Sequence, residues 1–97
     1  MRASPEAAVP RLHVLLSERE LDGAGGHRLA YRLLDEAGPL GLHLRGRWSA
    51  ARLHDHARRI AARAAEASGW CVVNGRPDIA LAARAHAVQL GRAALEV

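Results

Sequence analysis

The chain has 97 residues, of which 49% are hydrophobic and 25% are charged, so it can form one small folded domain. No apolar run approaches the ~18–20 residues that cross a bilayer. The start of the chain also lacks the apolar stretch of a secretory signal, so we expect a cytoplasmic protein without a membrane partner. The single cysteine, Cys71, excludes an internal disulfide and a multi-cysteine zinc site.

The net charge of +4 does not by itself indicate nucleic-acid binding. All 14 basic residues are arginines, and they are spread along the chain rather than clustered in one block. The three aromatic residues, Tyr31, Trp48 and Trp70, are too few to form a platform for base stacking. We therefore expect no nucleic-acid partner.

Short apolar runs alternate along the chain with segments whose apolar residues follow helical spacing. Residues 1–10 are small and polar with two prolines, and we predict a flexible leader there, followed by one domain over 11–97. The first strand is predicted at 12–16, and a helix follows at 27–37, where glycine and proline end it. The next strand is predicted at 40–45, and a helix capped by Ser49 extends to 68. The third strand is predicted at 70–74, a helix starting at Pro77 extends to about 84, and the fourth strand lies at 87–90.

The predicted order is β-α-β-α-β-α-β, which indicates an α/β fold with parallel strands and helices packed against the sheet. Parallel strands are usually covered on both faces, so we expect these four strands to be buried on both sides. Two architectures fit the order. One is a small open sheet, and the other is half of a TIM (β/α)₈ barrel, which needs roughly 200–250 residues when complete.

Three polar side chains alternate at the end of the second predicted strand. His43, Arg45 and Arg47 lie at i, i+2 and i+4, so an extended backbone projects them to one side. Ligands of α/β folds bind at the carboxyl ends of the strands. Guanidinium groups there suit a phosphate or diphosphate, whose oxygens they bind in a bidentate manner. The alternative is that the two arginines are solvated loop residues.

Two further polar residues are predicted at the same edge of the sheet. Asn74 ends the third strand and could bind a heterocycle or a ligand oxygen, although Asn74 and Gly75 could also simply form a tight turn. Gln89 lies in the fourth strand, where it could face a ligand or be a hydrogen-bonded interior amide.

The remaining histidines do not indicate a metal site. His54 and His56 lie two apart on a helix and therefore point about 200° apart, so we predict a solvated helix face. His13 and His86 are isolated in sequence and are interpreted as structural. The sequence contains no Ser-His-Asp set, no phosphate-binding glycine loop and no paired carboxylates.

Four segments in order resemble the first half of thiamine phosphate synthase and its TenI-like relatives. They are 12–17 (LHVLLS), 43–47 (HLRGR), 73–82 (VNGRPDIALA) and 87–94 (AVQLGRAA). The family has Leu-Tyr-Leu-Ile-Thr-Asp in the first strand and Gln-Leu-Arg-Glu-Lys in the second. It has Ile-Asn-Asp-Arg-x-Asp-x-Ala-Leu-Ala at the third strand and Gly-Val-His-Leu-Gly-Gln-Glu-Asp at the fourth.

This resemblance implies a (β/α)₈ barrel of thiamine biosynthesis that joins hydroxymethylpyrimidine diphosphate to thiazole phosphate. It implies that His43, Arg45, Arg47 and Asn74 hold the pyrimidine diphosphate. Arg45 and Asn74 match the family residues, His43 replaces a glutamine, and Arg47 replaces a lysine.

The resemblance also implies a magnesium ion, whose two aspartate positions correspond to Gly75 and Ala94. Neither residue offers a side-chain oxygen, so we expect no resident Mg²⁺ and no catalytic residue. The resemblance covers only the first half of the barrel, and we expect the chain alone to lack synthase activity. Two non-catalytic roles stay open: a phosphate-binding or regulatory module, and a subunit in which two half-barrels pair as a homodimer or with a complementing chain.

Overall fold

The computed structural model describes residues 9–91. Of the predicted leader, residues 1–8 lie outside the described residues, and Pro10 is buried. The strands are β1 (His13–Leu16), β2 (Gly41–Leu44), β3 (Trp70–Asn74) and β4 (Ala87–Gln89). The helices are α1 (Glu18–Leu21), α2 (Gly26–Ala37), α3 (Ala50–Glu66) and α4 (Pro77–Ala82). None of these helices is long and apolar enough to cross a bilayer.

The four strands form one parallel sheet in the order β1-β2-β3-β4. Between successive strands the chain passes through helix, as parallel pairing requires. The predicted α/β class and the alternation of strands and helices are therefore confirmed, and each predicted strand is found within one residue of its expected ends.

One face of the sheet carries the hydrophobic core. Alternate strand residues such as Leu42, Leu44 and Val73 are no more than 1% exposed. They belong to one buried cluster with Ile60 of α3 and Leu34 of α2. Because the strand order is sequential and crossovers are right-handed, all helices are expected on the same side of the sheet. The burial pattern agrees with that arrangement.

The opposite face of the sheet is largely open, so the prediction that the strands are buried on both faces was wrong. Leu15 is 57% exposed, and His13 on the same face is exposed as well. Val72 of β3 is an exception on this face, with 4% exposure. The sequential strand order explains this difference, since it puts no helix on the second face.

The residues predicted to begin and end the helices, a capping serine and a terminating glycine, do so in the structure. Ser49 caps α3 by accepting a hydrogen bond from the N–H of Arg52, and Gly38 ends α2 with a φ of +79°. The single turn α1 was not predicted, although its signal is present in the sequence. Ser17 and Glu20 form a capping box, in which the side chain of each residue accepts a hydrogen bond from the backbone N–H of the other.

Candidate functional site at the carboxyl edge of the sheet

The strand register brings three predicted polar residues together at the carboxyl edge of the sheet. Leu44 of β2 pairs with Val73 of β3, so Arg45 lies beside Asn74, and Asn74 in turn pairs with Gln89. On the other side of β2, the N–H of Arg45 continues the β1–β2 ladder by donating a hydrogen bond of 3.0 Å to the carbonyl of Leu16. Side chains two apart in a strand share a face, and Arg45 is two residues after His43. Arg45, Asn74 and Gln89 therefore form a row on the open face of the sheet.

His43 lies one row deeper on the same open face. Its Nδ1 is 3.1 Å from Oε1 of Gln89, and its Nε2 is 2.8 Å from Nδ1 of His13. His13 looks isolated in the sequence, but in the structure it contacts a second histidine. Sequence distance hides this contact, because His13 and His43 lie on different strands, 30 positions apart.

The loop after β2 is held in place by a carboxylate from α1. Oε2 of Glu18 accepts a hydrogen bond of 2.7 Å from the backbone N–H of Arg47. This hydrogen bond is the main cause that lowers the pKa of Glu18 below its ordinary value. Glu18 therefore occupies the one backbone donor that Arg47 could have offered to an anion, while the Arg47 residue itself is exposed.

The two predicted anion-binding guanidiniums carry no carboxylate partner among residues 9–91. Several other arginines do form ion pairs, including Arg52 with Asp22 at 2.8 Å and Arg63 with Asp35 at 2.7 Å. Arg45 and Arg47 make no such contact within the described part of the chain. The charge of Arg47 is nevertheless partly offset by the Glu18 carboxylate, since the attraction between the two helps to lower the pKa of Glu18.

The two positions for which the sequence resemblance implies magnesium ligands, 75 and 94, carry a glycine and an alanine. Gly75 follows Asn74 with a φ of +78° and has no side chain to offer an oxygen ligand. Ala94 lies outside the described residues. No group of three or more histidine, cysteine, aspartate or glutamate residues within 9–91 could hold a metal ion.

A second polar cluster lies behind the edge, where the loops after β1 and β2 meet α3. Asp22 accepts hydrogen bonds from Nε1 of Trp48 at 3.0 Å and from Nε2 of His56 at 2.9 Å. Nδ1 of His56 is 2.8 Å from Nε2 of His27 in the first turn of α2. With both rings neutral, the protons point from His27 to His56 and from His56 to the carboxylate.

His56 is only 6% exposed, so the prediction of a solvated helix face was wrong for this residue. The position faces inward because α3 packs its inner side over the loop that carries Asp22. His54, its neighbour two residues earlier, is half-buried, whereas Asp55 forms ion pairs with Arg58 and Arg59.

We expect the protein to lose stability as the pH falls below about 6.5, the ordinary pKa of histidine. Burial lowers the pKa of His27 and of His86 in the folded protein. The unfolded chain therefore takes up protons at a pH where the folded protein does not, which favours unfolding. Above pH 6.5 both histidines are neutral in the folded and in the unfolded protein, and the full free energy of unfolding is retained. Below this pH the free energy of unfolding falls until the pH reaches the lower pKa values of the folded protein.

Urea unfolding followed by circular dichroism between pH 5 and 8 measures this effect. The variant His27→Gln should show a smaller loss over that range than the natural sequence. Equal pH profiles for the two proteins would contradict a role for His27.

Two other predicted features have structural roles. Nδ1 of His86 accepts a hydrogen bond of 3.0 Å from the N–H of Cys71, so this histidine joins β3 to the segment before β4. Cys71 is fully buried, and burial raises the pKa of its thiol to about 12. A thiol with that pKa has almost no thiolate at neutral pH, so Cys71 is not suited to be a nucleophile.

Comparison of this chain with protein-family models, with curated proteins and with solved structures finds no match.

Proposed function

We propose that this chain is a thiamine phosphate synthase/TenI-like half-barrel domain that binds a phosphorylated small molecule, similar to a pyrimidine diphosphate, at the carboxyl edge of its sheet. The observation that carries the proposal is the register of β2 and β3, which puts Arg45 beside Asn74 on one edge. The sequential parallel order of the four strands, with helices on one face, is compatible with half of a TIM barrel.

The chemistry of the edge favours an anionic ligand. Arg45 supplies planar donors that match phosphate oxygens, and Asn74 supplies an amide for a further oxygen or a heterocycle. Arg47 adds positive charge from the loop that Glu18 holds, and His43 lies next to the row. Since the family's magnesium position at Gly75 lacks a carboxylate, we propose binding or regulation rather than synthase catalysis.

Titration with inorganic pyrophosphate tests this proposal. We expect Arg45→Ala to weaken the affinity about tenfold or more, because a hydrogen bond to a charged group is worth about 1.5–3 kcal/mol. Isothermal titration calorimetry at low and at physiological salt would measure it. A matched control is Arg28→Ala, which removes an exposed arginine from α2 on the other side of the sheet.

Equal affinity in the natural protein, Arg45→Ala and Arg28→Ala would remove the edge as the binding site. An equal loss in the two variants would show that only the net charge matters. Absence of pyrophosphate binding in the natural protein would contradict the proposed function.

A second candidate is a half-barrel subunit that pairs with another copy of this chain. The open face of the sheet favours it, because the exposed Leu15 lies there and helices cover only the other face. Light scattering should then give the mass of a dimer. A monomer at high protein concentration would exclude pairing.

A further inference from the structure

Two imidazoles meet edge to face on the open face of the sheet. Nδ1 of His13 and Nε2 of His43 are 2.8 Å apart, and the ring planes cross at 76°. His13 is exposed and His43 is half-buried, so solvent reaches the contact. The contact lies between two strands of one sheet, which limits the freedom of both side chains.

Gly41 provides the space that this contact needs. Gly41 pairs with His13 in the β1–β2 ladder, and a Cβ at this position would overlap Nδ1 of the His13 ring. The His13 ring therefore lies across the backbone of β2 at the one residue that has no side chain. Any larger residue at position 41 would push the ring away from His43.

Gln89 fixes the proton arrangement of His43. Its Oε1 is an acceptor 3.1 Å from Nδ1 of His43, so Nδ1 carries the proton and Nε2 has a free lone pair. That lone pair points towards His13. An acceptor on the far nitrogen is the arrangement that orients and strengthens histidine as a metal ligand.

We propose that His13 and His43 form a two-histidine site for a divalent transition-metal ion. When the proton of His13 moves to Nε2, two imidazole lone pairs face each other across a short gap. Zinc–nitrogen bonds of about 2.0–2.1 Å require the two nitrogens to be roughly 3.3 Å apart in a tetrahedral site. A small rotation of the exposed His13 ring provides that separation. Water completes the coordination, because no third ligand of the usual types lies near within 9–91.

The chemistry of the site selects the class of metal. Two neutral imidazoles suit copper, nickel and zinc, and the affinities should follow the order Cu²⁺ > Ni²⁺, with Zn²⁺ also below Cu²⁺. Magnesium and calcium prefer oxygen ligands and should not bind here. This site shares His43 with the proposed phosphate-binding edge, but it uses neither Arg45 nor Asn74, so metal binding and phosphate binding can be tested separately.

Titration of the full chain with Cu²⁺, Ni²⁺ and Zn²⁺ by calorimetry tests the proposal. We expect His13→Ala and His43→Ala each to weaken binding at least tenfold. His54→Ala on α3 is the matched control, since it removes a histidine that is not part of the site, and it should leave the affinity unchanged. Electron paramagnetic resonance of the Cu²⁺ complex should show two nitrogen ligands.

Gly41→Ala gives the sharpest test, because it removes neither histidine. The His13 side chain is exposed and can swing outwards, so the variant should fold, as circular dichroism would verify. We expect it to bind Cu²⁺ at least tenfold more weakly, with the signature of a single nitrogen ligand. Unchanged Cu²⁺ binding in Gly41→Ala or in His13→Ala would overturn the proposal, as would an equal loss in His54→Ala. Arg45→Ala should affect pyrophosphate but not Cu²⁺, which separates this test from that of the proposed function.

Discussion

Ile60→Ala is expected to lower the free energy of unfolding by about 2–5 kcal/mol, because it leaves a cavity in a close-packed core. Ile60 lies in the middle of α3 with 0% exposure and belongs to the buried cluster between the helices and the sheet. A domain of this size has a total stability of roughly 5–15 kcal/mol, so the variant should be partly unfolded at mild denaturant concentrations.

Urea unfolding monitored by circular dichroism measures the effect of Ile60→Ala. Leu81→Ala is the matched control, because Leu81 is an apolar helix residue that is 83% exposed. We expect the control to change stability by less than about 0.5 kcal/mol. Similar losses for the two variants would show that α3 does not pack on the sheet as described.

His56→Ala is expected to destabilise the protein by about 1–3 kcal/mol, because it breaks the hydrogen-bonded chain from His27 to Asp22. His56 is the buried middle member, and its ring also contacts Trp48 with centroids 5.1 Å apart. Its loss should therefore loosen the loops after β1 and β2 together.

The control for His56→Ala is His54→Ala on the same helix, which makes no hydrogen bond of this kind within the described residues. A double-mutant cycle with His27→Ala should give a coupling free energy, since the two rings are in direct contact. Additive effects of His56→Ala and His27→Ala would contradict the hydrogen bonds that connect His27, His56 and Asp22. Equal effects of His56→Ala and His54→Ala would contradict them as well.

Much of the fold can be predicted from short-range signals. The run 70–74 is bounded by glycines and rich in β-branched residues, and it forms β3 as expected. Ser49 and Pro77 mark helix starts for reasons that are local to each residue. The placement of Arg45 beside Asn74 could also be predicted, because parallel strands end at the same edge of a sheet.

The features that sequence reasoning missed depend on contacts between distant residues. The contacts of His13 with His43 and of His27 with His56 join residues about 30 positions apart, and no spacing rule connects them. The open face of the sheet depends on the strand order, which the alternation of elements does not specify. Glu18 binds the loop after β2 through an unpredicted turn, for which the Ser17 capping box was the available signal.

The most direct test of the binding edge is an amide NMR titration with inorganic pyrophosphate. If Arg45 and Asn74 bind the anion, we expect shift changes at the amides of residues 45–47 and 74–76. We expect constant shifts at Leu12, Leu40 and Gly69, which lie at the amino ends of the strands. Changes confined to the amino-terminal edge, or no change at saturating pyrophosphate, would contradict the claim that Arg45 and Asn74 form an anion site.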